Sequence, residues 1–374
     1  MEQEYEVQRL NRRQFLIRLG AASATITVAG AGISALLNSR FETRPGALNT
    51  AGSTQAQPAR VFPNSDDPVE PAPGTRPEFT PVEQHYRIDI SPAPPTIDGD
   101  TWTLSISGLV DNPIELTLDN LRNDFEPVDQ YITMECISNP VAGDLISTQL
   151  WTGASFRDVL ALARPQPEAT HARIIGADGF DETVALDLIN SDPNVVLCYA
   201  WDGQPLPVQN GFPLRVHIPN RFGMKQPKWI TSIELISGDE DGYWVRRGWS
   251  KDAIIKATAV IDTIATNMIT VDEETGQQFV PIGGIAFAGP RGVSRVEVRV
   301  DGGEWQEAML RGPLSGDPKN YKTWRIWRYD WPFTEGQHSF TVRMFEEDGT
   351  PQEEQVNGTR PDGATGYHSR GVWR

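Results

Sequence analysis

The chain alternates apolar and polar residues most clearly at Trp102-Thr103-Leu104-Ser105-Ile106-Ser107-Gly108-Leu109-Val110, the period of a strand with one buried face. Leu116 to Leu121 predicts a short strand running into a helix start, and Phe156 to Ala163 a helix. Tyr131 to Cys136 is a strand-like run that delivers a cysteine into a turn made of Ser138, Asn139, Pro140 and Gly143. Ala172 to Phe180 predicts strand then turn, and Asn194 to Trp201 an apolar strand. Past Ile254-Ile255-Lys256 the runs shorten and Gly, Asp and Pro interrupt them. Phe279 to Ala288, Val293 to Val300 and Ser339 to Phe345 are strand candidates there, with Asp301-Gly302-Gly303 as a hairpin turn before Trp305. An antiparallel β-sandwich is the natural packing of such runs. Trp324, Trp327 and Trp331, at spacings of three and four, imitate a helical stripe; strand and core aromatics in the sandwich are the preferred reading.

Composition narrows the function classes. At 374 residues the chain exceeds what one hydrophobic core organises, so two folded units plus a tail are expected. A formal charge of -17 argues against a nucleic-acid partner, while leaving room for a local basic pocket. Two cysteines, Cys136 and Cys198, build no disulfide framework and no Cys-x-x-Cys motif, which leaves zinc ribbons and attached haem unsupported. One bridge between them needs close approach of the two.

The first forty residues read as an address. Asn11-Arg12-Arg13-Gln14-Phe15-Leu16 precedes an uncharged run from Leu19 to Leu37, and the pattern resembles a twin-arginine export signal. A plain membrane anchor is the alternative; the product is then periplasmic, either released or tethered by this segment. Gly30-Ala31-Gly32-Ile33-Ser34-Ala35 matches G-x-G-x-x-A, but no strand precedes it, so a dinucleotide site is not expected. Residues 41–80, rich in Pro, Ser, Thr and acidic groups, read as an exposed linker.

Four segments then stand in a telling order: Tyr131 to Asp144 around Cys136, Leu150 to Leu160, Gln209 to Pro219, and Phe222 to Ile230. Together they resemble the catalytic domain of the sulfite oxidase family of molybdopterin enzymes, over residues 80 to 370. The resemblance implies an α+β molybdopterin-binding domain over 81–253, with a short helix over Ala185 to Asn190. An immunoglobulin-like dimerisation-type β domain would follow over 254–374, with a homodimer as the assembly.

It also implies a cofactor, molybdenum–molybdopterin, and roles for residues. Cys136 matches the thiolate that ligates molybdenum, a soft ligand for such a metal. Asn139, with Ser138 and Gly143, belongs to the turn that fixes it. Arg87 matches an arginine facing the metal and the substrate's oxygen, although Ile88 and Asp89 replace the Asn and His that follow it in the family. Trp151 stands at an active-site tryptophan. Arg215 and Lys228 match the pterin-binding Arg and Lys, with Lys225 and His217 as further donors and Asn210 where the family has His. Trp249, after Arg246-Arg247, replaces a tyrosine, and Pro140 and Val141 replace basic residues that help bind sulfite. The resemblance implies oxygen-atom transfer to or from sulfite or a related sulfur oxo compound; loss of a cation and a hydroxyl weakens capture of a small dianion and shifts the expectation toward another substrate, such as a sulfoxide or an organic oxo compound.

Each assignment has a bland alternative. A free cysteine is usually inert packing, a tryptophan core filling, a lysine or arginine a solvated charge. Cys198, in its apolar strand, is read as filler. The expected partners are a small oxo substrate and an external electron carrier, a cytochrome or membrane subunit. The contrasting possibility is an exported binding module that keeps the fold without metal. Hydrolysis by a triad finds no support, since five scattered His and no G-x-S-x-G leave nothing to assemble.

Overall fold

The computed structural model describes residues 61–317 and 322–373, which fall in the unit Val61–Arg374. The export-type segment, and the expected linker as far as residue 60, lie outside the described residues.

The alternating stretch forms β1 (Thr103–Gly108), with Leu104 and Ile106 buried and Ser105 and Ser107, which alternate with them, half-buried. β2 (Ile114–Thr117) returns antiparallel and hands over to α1 (Leu118–Asn123). Thr117 closes that helix start with a capping box, its hydroxyl accepting from Asn120 N at 3.1 Å while its own N–H donates to Asn120 Oδ1 at 3.0 Å. β3 (Val128–Glu135) pairs with β4 (Ile146–Ser155), and α2 (Phe156–Ala163) follows at the predicted place. Its buried residues, Phe156, Val159, Leu160 and Ala163, follow the spacing of one helix face. β5 (His171–Gly176), β6 (Asp181–Ala185), α3 (Leu186–Ser191), β7 (Val196–Trp201), β8 (Gln204–Pro205), β9 (Arg215–His217) and β10 (Ile230–Ile236) complete this half.

Two sheets result. One has the order β2-β1-β10-β5-β6, the other β3-β4-β7-β8 with β9 paired to β7. Only β1 with β10 is parallel within the first sheet, so the chain between them crosses over and carries the second sheet with it. Leu104, Ile106 and Ile233 from one sheet, Leu197 and Val216 from the other, and the apolar face of α2 share one core. This is the mixed α+β architecture expected.

The remainder is β throughout: β11 (Thr258–Ile264), β12 (Thr270–Val271), β13 (Gln278–Phe287), β14 (Arg295–Val300), β15 (Trp305–Glu307), β16 (Met309–Leu310), β17 (Arg325–Pro332), β18 (Gln337–Phe345) and β19 (His368–Trp373). They form two antiparallel sheets, β11-β13-β17-β16 with β12 on β13, and β15-β14-β18-β19. Ile261, Ile282, Trp327 and Trp331 of one meet Val296, Val298, Phe340 and Met344 of the other, a face-to-face sandwich. The Asp301-Gly302 turn has φ of 51° and 73°, both left-handed, and is closed by Gly303 N–H donating to Val300 O at 2.8 Å within the loop that joins the paired residues Arg299 and Trp305.

The tryptophan spacing resolves accordingly. Four residues separate Trp327 and Trp331, which share a face of β17 and the sandwich core. Trp324, three before, joins a different cluster with Ile137, Phe222, Ile255 and Phe287, where the sandwich meets the mixed half. There Trp324 N–H donates to Thr133 Oγ1 at 2.9 Å and Thr133 N–H to Lys322 O at 2.8 Å, so the edge of β3 is covered.

Residues 61–80 correct the linker expectation over their length. Arg311 donates to Asn64 O at 2.7 Å, Val69 O at 2.6 Å and the Glu78 carboxylate at 3.2 Å, Arg76 pairs with Asp262 at 2.7 Å, and Ala72 is buried. Five prolines here remove donors and favour extended backbone, so the segment packs without joining a sheet and reads as unstructured from composition alone.

Candidate active site

The turn after β3 places the first functional atom. Cys136 N–H donates to Leu145 O at 2.9 Å and Asn139 N–H to Cys136 O at 3.0 Å, closing the loop at both ends. Asn139 is its internal strut: Oδ1 accepts from Leu145 N at 3.0 Å and Nδ2 donates to Glu135 Oε1 at 2.9 Å. A Cβ on residue 143 would collide with that same Oδ1, which is the reason for Gly143. The Asn139 side chain is thus spent on holding the turn and does not line the pocket.

Cys136 does line it. The thiol is 7% exposed, with Sγ 3.1 Å from Ser138 Oγ, and burial pushes its pKa up against the pull of that hydrogen bond. Beside it burial raises Glu135 to about 7. Cys198 is fully buried, its thiol donating to Ala200 O at 3.2 Å and pushed by burial to about 12; both cysteines are free, and Cys198 is filler.

The pocket spans about 860 Å³, mouth included. Tyr86, Met134, Cys136 and Arg215 line it together with Ile88, Ile137, Phe180 and Met224, and Trp244 and Trp249 add two indoles from the loop before β11. Arg215, on β9, is 2% exposed. Its guanidinium carbon lies 4.8 Å from the Trp151 ring and 5.2 Å from Trp201, Nη1 donates to Asn210 O at 2.9 Å, and Nη2 reaches Met134 Sδ at 3.2 Å. Among the described residues no carboxylate pairs with it. Burial lowers its pKa to about 10. A buried cation with only ring faces and neutral acceptors around it is expensive, and the arrangement suits an anion.

The other expected residues divide. Asn210 lines the pocket, and its Oδ1 makes no hydrogen bond among the described residues. Lys228 lines it too, 4.5 Å from the Trp229 ring, with Nζ on the Asp89 carboxylate; burial lowers it to about 8. Trp249 stands on the wall. Trp151 lies fully buried beneath Arg215 and does not reach the lining. His217 is buried with Nδ1 3.0 Å from Gln226 Oε1 and burial holds it down at about 4, so it is a neutral support.

Besides Asn139, Trp151 and His217, two more expected residues stay off the lining. Lys225 does not face the pocket: Nζ donates to Glu182 Oε1 at 2.6 Å and to Thr183 O at 3.3 Å, a buried pair that draws it to β6. Arg87 also fails to line it. Tyr86, Ile88, Asp89 and Ile90 do, while the Arg87 side chain turns outward, 38% exposed, onto Asp89. In both cases a remote or neighbouring carboxylate decides the direction of the cation.

The residues missed by sequence are His85, Tyr86, Trp201 and Trp244. A histidine is present after all near the Arg87 segment, as His85, buried 4.4 Å from Trp201 and 5.2 Å from Tyr86. The signal was the aromatic pair His85-Tyr86, but an extended segment without a regular partner strand does not disclose its inward face.

Around Arg215 the buried atoms that make no hydrogen bond among the described residues accumulate. They are both ring nitrogens of His85, Tyr86 Oη, Nε1 of Trp151 and of Trp201, Asn210 Oδ1, and Arg215 Nε. Native interiors leave few such groups. Tyr86, Asn210 and Arg215 line the pocket, whereas His85, Trp151 and Trp201 do not reach its lining; a buried cation beside a thiol, with no carboxylate on it among the described residues, fits an anionic, acceptor-rich heterocycle. Among the described residues no group of three or more His, Cys, Asp or Glu is placed to hold a metal ion. Cys136 alone suits a metal that brings its other ligands on that heterocycle.

Fold and site together define a molybdopterin-binding oxidoreductase domain. Residues 91–244 match the model of the family described as "Oxidoreductase molybdopterin binding domain", a range that holds Cys136, Arg215 and Lys228 and leaves Tyr86 and Trp249 outside. The mitochondrial sulfite oxidase of Homo sapiens is 30% identical over 286 residues, 66% of this chain and 52% of that protein. A nitrate reductase [NAD(P)H] of Hordeum vulgare is 27% identical over 334 residues, 74% of this chain and 37% of that protein. The sulfane dehydrogenase SoxCD from Paracoccus pantotrophus shares the fold, with a TM-score of 0.67 at 18% identity over 89% of this chain and 94% of that one. The chain belongs to the sulfite oxidase family of molybdopterin-dependent oxidoreductases, whose cofactor is molybdenum on molybdopterin. It spans about half the length of the sulfite oxidases it matches.

Proposed function

We propose that the protein is an enzyme of two-electron oxygen-atom transfer acting on a small sulfur oxo compound, a sulfoxide in preference to sulfite. The observation that carries this reading is the Cys136 thiol opening into a pocket that also holds Arg215, a buried cation with no carboxylate on it among the described residues. Cys136 would bind molybdenum. His85, Asn210, Arg215 and Lys228 would hold the pterin, and the bound group would supply the redox chemistry. Sulfoxide reduction takes two electrons and two protons and releases a thioether and water; sulfite oxidation runs the other way, taking up water and releasing two electrons, two protons and sulfate.

The preference rests on charge. Sulfite is a dianion that needs an uncommitted cation, but Lys228 is engaged by Asp89, Arg87 points outward, and Arg215, resting against two tryptophans, is assigned to the pterin. Ile88, Ile137, Met224, Trp244 and Trp249 offer apolar walls to an organic substituent and exclude water from the reacting atoms. Electrons would pass to or from a separate carrier, a cytochrome or membrane subunit. The sandwich would serve as an immunoglobulin-like dimerisation domain, and residues 1–40 as a twin-arginine-type signal to the periplasm.

Protein purified from a molybdenum-replete host should contain about one molybdenum and one pterin per chain, and should reduce methionine sulfoxide with a dye donor. Cys136→Ser should remove turnover and leave the fold intact by circular dichroism. A parent without molybdenum would instead support the non-catalytic binding module, and turnover of sulfite with a dye acceptor but not of the sulfoxide would reverse the preferred substrate.

A further inference from the structure

The pocket holds two hydroxyl groups. Ser138 Oγ is engaged with the Cys136 sulfur at 3.1 Å, whereas Tyr86 Oη is fully buried and makes no hydrogen bond among the described residues. A buried phenol without a partner costs stability, so its retention in the site wall calls for a ligand.

Its position is fixed from behind. Tyr86 N–H donates to Ser147 Oγ at 3.1 Å, and the ring stacks on His85 with centroids 5.2 Å apart and planes 16° from parallel. The hydroxyl therefore cannot swing away to bond elsewhere. Gly223 lets the phenol come close to the backbone: a Cβ there would lie 2.8 Å from Tyr86 Oη. Gly223 has no left-handed φ, so the backbone does not demand glycine there, and the close approach of the phenol is the physical reason for it. Tyr86 lines the same pocket as Cys136 and Arg215, and the Cβ that would meet its hydroxyl would also lie 3.5 Å from the carbonyl oxygen of Glu135, the residue before Cys136, which puts the hydroxyl at the reacting end of the pocket.

We propose that Tyr86 is a substrate-binding residue whose hydroxyl donates a hydrogen bond to the oxygen of the oxo substrate beside Cys136. The assignment rests on the oxygen-transfer reading above and adds the group that orients the substrate. A sulfoxide oxygen is a strong acceptor with no proton of its own, and a neutral donor held in an apolar wall recognises it without the desolvation penalty of a cation.

The test uses molybdenum-loaded parent, Tyr86→Phe and Gly223→Ala, with methionine sulfoxide as probe. Metal and pterin content are measured first, then probe binding by the change in the cofactor's visible absorption, then KM and kcat. Tyr86→Phe should keep its molybdenum and pterin and bind the probe about tenfold more weakly, the effect of one lost hydrogen bond. Gly223→Ala should shift binding in the same direction with its metal retained. Loss of molybdenum or pterin from Tyr86→Phe would overturn the proposal by making the phenol a cofactor contact. Unchanged probe affinity in a fully loaded Tyr86→Phe would also overturn it, as would a loaded parent whose spectrum the probe leaves unmoved. A parent that carries no molybdenum at all defeats the enzymatic reading itself, and metal content of the parent tells the two failures apart.

Discussion

Arg215 is a buried cation with no carboxylate partner among the described residues, and this sets its expected behaviour. A buried guanidinium against two indoles costs the cofactor-free protein stability, because neither the rings nor Asn210 O and Met134 Sδ replace a counter-ion. Arg215→Met should therefore leave the cofactor-free protein as stable as its parent or more so by thermal unfolding, while lowering molybdenum content at least tenfold. A second residue-scale expectation concerns acid. His217, ordinarily at 6.5, is held at about 4 by burial, so between those values the unfolded chain binds more protons and stability falls as pH falls. The loss levels off below about pH 4 and amounts to at most about 3 kcal/mol. Denaturant titrations of the cofactor-free His217→Gln variant should show a flatter slope across that window. At this scale Cys136, Asn210, Arg215 and Lys228 were legible because a motif fixes both their type and their spacing. Arg87 and Lys225 were not, because Asp89 and Glu182 decide where those cations point and nothing in a linear sequence announces those pairings.

Elements were more legible than side-chain directions. β1, α2, β14 and β18 fall where periodicity puts them, and the Asp301-Gly302 turn is the one its residues demand. Trp324 shows the remaining gap: the three-residue step to Trp327 reveals that the two face opposite ways along an extended chain, but not that the far side of the sheet has a core of its own. The Cys136–Leu145 turn is the element on which the site depends. Gly143→Ala would drive a methyl group into Asn139 Oδ1, and either the strut or the backbone must yield. A destabilisation of about 1–3 kcal/mol in urea is expected, with reduced molybdenum loading in the same preparation.

At the scale of the whole molecule, the sandwich reaches into the site's wall. Arg360 donates to Arg247 O and lies 5.8 Å from the Trp249 ring, Ser250 N–H donates to Pro361 O at 3.1 Å, and Gly363 sits so close to Phe222 that a Cβ would be 2.7 Å from its ring. Arg360→Ala should raise KM severalfold with molybdenum content unchanged, since it frees Trp249 without touching the turn that bears Cys136. Trp327→Ala, in the middle of the sandwich core, should cost about 3–5 kcal/mol by denaturant unfolding.

The parallel pairing of β1 with β10 has a consequence for biogenesis. During synthesis the strand that emerges first must wait beside β2, one flank bare, until Ile236 has left the ribosome and can zip onto it. Every message truncated between those two points would yield a polypeptide with an unquenched sheet edge, prone to stick to its neighbours, and a chaperone that shields that flank would have the greatest effect on yield.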